Sequence, residues 1–183
     1  MRVLNAIASG IDWLNEMLGR ILIGLVPFIV LISVAVVVLR YAFKLGFPWL
    51  SESFIWLNGV LFTLGAAYLL MNDHHVRVDL LYSKLSNRGR AYVNLGGVVL
   101  LLWPTMYAVL TTAWPSVRRS VLALEHSPTM DGLPFLYVLK ICVPLFCILV
   151  ALQGLSLAIR SIAVLKGHAS AGKSVFYQGN GHG

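Results

Sequence analysis

Charge is scarce in this chain. Its 183 residues carry 14 Lys or Arg and 7 Asp or Glu, 11% charged against 58% hydrophobic, and the mean hydropathy is +0.82. A soluble domain of this length cannot cover so much apolar surface with so few charges, so the composition excludes a water-soluble fold and describes an integral membrane protein. Cysteine is equally sparse. Cys142 and Cys147 are separated by five positions and point in different directions on one helix, so neither a disulfide nor a metal pair is expected. The absence of a CxxC step excludes a disulfide-oxidising membrane enzyme. Nucleophile–base pairs, phosphate-binding loops and zinc spacings are missing as well, and the chain is not expected to be an enzyme. A net charge of +7 with pI near 9.7 comes without any basic run. No nucleic-acid partner is therefore expected, and the cations are assigned to the cytoplasmic side of a membrane and its anionic lipid.

What is present is apolar and long. The stretch from Phe54 to Met71 runs without a charge, close to the thickness of a bilayer core at helical rise. Similar runs occupy 21–39, 91–117 and 133–159, the last interrupted by Lys140, with Asp131 as N-cap and Pro134 in its tolerant first turn. Pro104 predicts a kink near the centre of the third. The segment 1–20 is not a span. Val3, Ile7, Ile11, Leu14 and Leu18 recur at helical spacing, which predicts an amphipathic helix, either lying in the membrane interface with Trp13 at headgroup depth or packed on the bundle as a short cytoplasmic helix. The expected fold is an all-α membrane protein: four transmembrane helices in 21–160 preceded by an amphipathic interfacial helix, with 161–183 a polar cytoplasmic tail. Four spans place both termini on one side. With the N-terminus inside, nine Lys or Arg fall on the cytoplasmic side and four on the other, which predicts both termini in the cytoplasm.

The spans themselves hold no carboxylate and no histidine, and Lys140 in the fourth is the one Lys or Arg within them. Asp12, Glu16, Glu52, Asp73, Asp79, Glu125 and Asp131 all fall in the flanks, and so do the five histidines. A proton-coupled pump needs a carboxylate at depth and a haem cytochrome needs axial His there, so both classes are excluded and no cofactor is expected. The polar residues that remain, such as Asn58, Thr111, Gln153 and Ser156, more often join helix to helix than bind a solute. Gly65 and Ala66 on the second span, and Gly96 and Gly97 on the third, permit close backbone approach within the bundle or against a partner's helices.

The specific residues form collars around the second span. RYAFKLGFPWLSES precedes it, GAAY lies near its end, and HHVRVDLL follows. Arg40, Trp49, Glu52, Gly65, Ala66, His75, Val78 and Asp79 together resemble the pattern of the small membrane subunit of tripartite ATP-independent periplasmic (TRAP) transporters, the DctQ type, except that Ser51 replaces the first acidic residue after the Trp. SPTMDGLPFLYVLKICVP, with Pro134 and Pro144, adds to the resemblance, which covers about 21–159. It implies a scaffold (stator) subunit of a secondary, sodium-coupled importer of an organic acid. Its partners would be a large DctM-type membrane subunit, which would hold the sodium, a periplasmic DctP-type binding protein, and membrane lipids. A membrane adaptor and a self-sufficient small transporter stand as the alternative readings.

Four expectations concern particular side chains. Arg40 and Glu52, in the periplasmic collar with Trp49, either pair across the hairpin or each suit their own helix end. His75, Arg77 and Asp79 organise the cytoplasmic end of the second helix, where His74 and His75 alone are too few to hold a metal. Gly65 and Ala66 serve helix packing or the large-subunit interface. Lys140 and Pro144 act as a unit on the fourth helix: the proline leaves the carbonyl of residue 140 without its helical partner, while the ammonium reaches back toward the periplasmic headgroups.

Overall fold

The computed structural model of the protein describes residues 2–72 and 86–166. These fold into α1 (Arg2–Tyr41), α2 (Pro48–Met71), α3 (Asn87–Gly96), a π-helical stretch Gly97–Leu102, α4 (Trp103–Leu122) and α5 (Leu136–Leu165), with no strand among the described residues. Four helical rods are long and apolar enough to cross a membrane, since α3, the π stretch and α4 run on as one.

Local chemistry sets the ends of these rods. Pro48 opens α2 at a position where its missing N–H would have had no helical partner and its fixed φ suits the first turn. Asn72 closes α2, its backbone N–H and its side-chain Nδ2 both donating to the carbonyl of Tyr68 at 3.1 Å. Ser86 caps α3 by accepting from Gly89 N–H at 3.2 Å. The turn after α1 holds Lys44 at φ 60°, and the linker before α5 holds Leu124 at 46° and Asp131 at 58°. Asp131 is therefore not the N-cap of the last helix. That helix begins at Leu136, and Phe135 before it offers no side-chain cap.

Two further expectations change. Residues 2–20 do not form an element of their own but the first half of α1, a 40-residue helix about 60 Å long that runs straight into the first apolar stretch. In the third rod the irregularity is not a simple kink at Pro104 but the six-residue π-helical stretch immediately before it, where Trp103 N–H donates to the carbonyl of Val98. Pro104 has no N–H to give, and a widened turn ahead of it eases the crowding between its ring and the preceding carbonyls.

The last helix is the centre of the molecule. In the most apolar window of α5, 44% is buried against the rest of the chain, compared with 11% in each of the other three rods. It packs on α1, on α2 and on the α3–α4 rod, while α1 and α2 also pack on each other. Ala67, Leu70, Leu149 and Val150 form the core, closed by Leu14, Leu18, Leu64, Ala66, Leu102, Met106 and Phe146. A Cβ on Gly19 would overlap the ring of Tyr68, and one on Gly154 would come within 2.9 Å of Leu102 Cδ2, so small residues seat α2 on α1 and the third rod on α5. Gly65 is not such a site, because a Cβ there would meet Leu22 at an ordinary 3.9 Å. Gly96 and Gly97 face open space.

The rods are staggered. Gly59, about three turns into α2, faces Leu139 in the first turn of α5. In consequence α2 ends at Met71 beside the middle of α5, and the N-terminal third of α1 meets the C-terminal half of α5 beyond it.

Candidate functional site

The polar side chains that bond from one element to another gather at the two ends of an apolar bundle. At one end lie the α1–α2 turn and the linker 123–135. Glu52, in the first turns of α2, reaches across to that linker: Oε1 accepts a short hydrogen bond from Ser127 Oγ, and Oε2 accepts from Leu133 N–H at 2.8 Å. Gly132 lies against the same carboxylate, so that a Cβ there would come within 2.8 Å of both its oxygens. One carboxylate thus takes donors from two points of the linker. Arg40 is not the partner of Glu52. It stands exposed in the last turn of α1 beside a shallow crevice lined by Leu45, Phe47, Leu50 and Ser51. The ring of Trp49 lies 6.1 Å from that of Phe47, centroid to centroid, and its carbonyl accepts from Ser53 Oγ at 2.8 Å.

The linker has a second tether. Lys140 Nζ donates to Glu125 Oε2 at 2.5 Å. The side chain points back toward the start of its helix, as the tilt of helical side chains requires, but it ends on a carboxylate of this chain. Lys140 holds the Glu125 carboxyl below the ordinary carboxylate range by donating to its charged form. Pro144, one turn further on, is buried within α5.

At the opposite end the sequence hid a network. Asp12 of α1 takes donors from three residues of α5: Gln153 Nε2 at 3.0 Å and Ser156 Oγ at 2.8 Å on Oδ1, and Arg160 on Oδ2. Asn15 Nδ2 then donates to Gln153 Oε1 at 2.6 Å. The directions are coupled. The Asp12 carboxylate can only accept, so it fixes which way the Gln153 amide points, and that fixes Asn15 in turn. Asn15, Gln153 and Ser156 are all buried. Gln153 and Ser156 thus join helix to helix, whereas Asn58 and Thr111 bond to carbonyls of their own helices. The signal that could have revealed Asp12 is the spacing Gln153, Ser156, Arg160, which lines three donors on one face of α5.

His75, Arg77 and Asp79 lie outside the described residues, as do His74 and Val78. Gly65 and Ala66 stay on α2, Ala66 against the core and Gly65 near Leu22. Among the described residues no three His, Cys, Asp or Glu side chains gather as a metal site.

Fold and site together define a multi-pass, four-span α-helical membrane protein whose polar side chains tie its own helix ends. Residues 29–164 match the family model for tripartite ATP-independent periplasmic transporters, DctQ component. The chain belongs to that family, and it is the small membrane component of a TRAP transporter rather than a member of an enzyme family. No curated protein and no solved structure matches it.

Proposed function

We propose that the chain is the static scaffold of a sodium-coupled importer of an organic acid, seated in the bacterial inner membrane with both termini in the cytoplasm. It works beside a large DctM-type subunit, which carries the substrate and the sodium, and receives a DctP-type binding protein on the side of the linker 123–135. One observation carries this reading beyond the family match. Of the five carboxylates among the described residues, Asp12, Glu16, Glu52 and Glu125 are each engaged by a donor of this same chain, and Asp131 lies exposed in the linker outside the spans. A carrier that binds a cation at depth keeps carboxylate or carbonyl oxygens for it, and a carboxylate already holding Arg, Lys or backbone donors is not available. Such a chain supplies a frame, while the moving ion and substrate belong to its partner.

Reconstitution in liposomes tests this. Alone, the chain should give no sodium-driven uptake of organic acids. Together with a DctM-type large subunit and a DctP-type binding protein, uptake should appear and should stop when sodium is replaced. Uptake by the lone chain would sink the scaffold reading.

A further inference from the structure

The turn between α1 and α2 stands where two candidate spans end side by side, Val3–Tyr41 and Pro48–Met71, so its backbone lies at the level where hydrocarbon meets water. The side chains suit that level. Tyr41, Phe43, Phe47 and Trp49 are all exposed along this short stretch, and aromatic rings gather in membrane proteins at headgroup depth.

The shallow crevice of this turn lies between the two helix ends. Val36 and Leu39 of α1 and Leu50 of α2 give it an apolar lining, Arg40 and Ser51 a polar one, and Gly46 of the turn lies beside them. Arg40 is exposed, and among the described residues nothing in the chain bonds to it. Glu52, the carboxylate nearest to it along the chain, is committed elsewhere, its two oxygens accepting from Ser127 and Leu133. Lys44 adds a second exposed cation in the same turn. Arg119, at the same end of the bundle, differs from Arg40 in that its Nε donates to the carbonyl of Pro115 on its own helix.

A guanidinium at headgroup depth with no carboxylate of its own chain takes its anion from outside. The abundant anion at that depth is the phosphodiester of a lipid, and the planar fork of Arg matches two phosphate oxygens at once. We propose that the α1–α2 crevice is a glycerophospholipid site, with Arg40 on the lipid phosphate and an acyl chain along Val36, Leu39 and Leu50. Ser51 offers its hydroxyl to the same headgroup, and Lys44 favours an anionic headgroup over a zwitterionic one. The site belongs to this chain alone and does not depend on the transport function proposed above.

Native mass spectrometry of the full chain in mild detergent, titrated with phosphatidylglycerol, tests the site. Wild type should hold one phospholipid more tightly than any other. Arg40→Gln should weaken that binding roughly tenfold or more, the scale of one hydrogen bond to a charged group. Gly46→Leu separates the crevice from the charge. A Cβ at Gly46 meets nothing within 4 Å, so the new side chain occupies the crevice while every cation stays in place, and binding should fall to a similar extent. Arg119→Gln, which removes a cation outside the crevice, should bind as wild type does. Thermal unfolding of each variant in the same detergent checks its fold. Should Gly46→Leu not fold, Ser51→Asp, which sets a carboxylate in the crevice with Arg40, should abolish the tight lipid in its place. Equal loss in Arg40→Gln and Arg119→Gln, or unimpaired binding with the crevice occupied, would reduce the contact to general attraction between cations and headgroups and overturn the site. An Arg40→Gln chain that keeps its lipid but loses a co-expressed DctM-type subunit would assign Arg40 to a carboxylate of that subunit, and would overturn the site as well.

Discussion

Two carboxylates, Glu52 and Glu125, hold one linker, and they do so by different chemistry. Glu52 accepts from a hydroxyl and a backbone N–H, so its replacement by Leu removes both acceptors and should release the segment 126–133. Limited proteolysis of the detergent-solubilised protein should then cut that segment several-fold faster than in the wild type, while Glu52→Gln, which keeps one acceptor, should fall between the two. Unchanged cleavage in the Leu variant would mean the linker is held without Glu52. Glu125 is held by a cation, and its carboxyl lies below the ordinary range. A group lowered on folding contributes stability above its unfolded pKa, near 4.3 for a Glu, and loses that contribution as pH falls through its folded value. Wild type should therefore unfold at a higher temperature than Lys140→Met at neutral pH, and the difference should shrink only below about pH 4. A gap that does not change with pH would show that Lys140 acts through its aliphatic stem alone.

At the scale of elements, the joint between α1 and α5 is the one most exposed to a single substitution. The side chains of Arg160 and Asp12 are 25% and 19% accessible, and Asp12 also satisfies Gln153 and Ser156. Asp12 accepts from three residues of α5 at once, so Asp12→Ala removes all three bonds and should cost on the order of 3 kcal/mol. Replacing both members with apolar residues of similar size, as in Asp12→Leu with Arg160→Met, should recover part of that loss. Thermal unfolding of the three proteins in one detergent gives the comparison, and an Asp12→Ala protein as stable as wild type would remove the pair from the account of the fold. This joint also marks where sequence reasoning stopped. The spans were legible because charge-free runs of bilayer length have few alternatives, and Pro48 announced the start of α2. Asp12 was not legible: it sits in a segment that reads as amphipathic on its own, and its partners lie 141 to 148 positions away. Only the stagger of the rods, with α2 ending at Met71, brings the polar face of α1 onto α5. Glu52 shows the same limit. Arg40 is its neighbour along the chain, but Ser127 and Leu133, 75 and 81 positions away, are its neighbours in space.

The whole molecule fixes which parts share an end of the bundle. The bonds from Glu52 to Ser127 and Leu133 bring the first turns of α2 and the linker 123–135 together at one end. The bonds from Asp12 to Ser156 and Arg160 bring the start of α1 and the last turns of α5 together at the other. Four rods connected in this way return the chain to the side from which it started, whichever side that is. The sequence predicts which of the two orientations holds. With the N-terminus inside, the expected topology puts Arg2, Arg20, Arg77, Lys84, Arg88, Arg90, Arg160, Lys166 and Lys173 on the cytoplasmic side, and Arg40, Lys44, Arg118 and Arg119 on the other. Short loops follow the positive-inside rule, so nine against four predicts the termini in the cytoplasm and the clamped linker in the periplasm. Truncations fused after Lys84 and after Glu125 should report opposite sides: fluorescence of a cytoplasmic reporter at Lys84, and activity of an exported phosphatase at Glu125. The reverse pattern would place the linker in the cytoplasm, out of reach of a periplasmic binding protein, and would remove that protein from the partners of this chain.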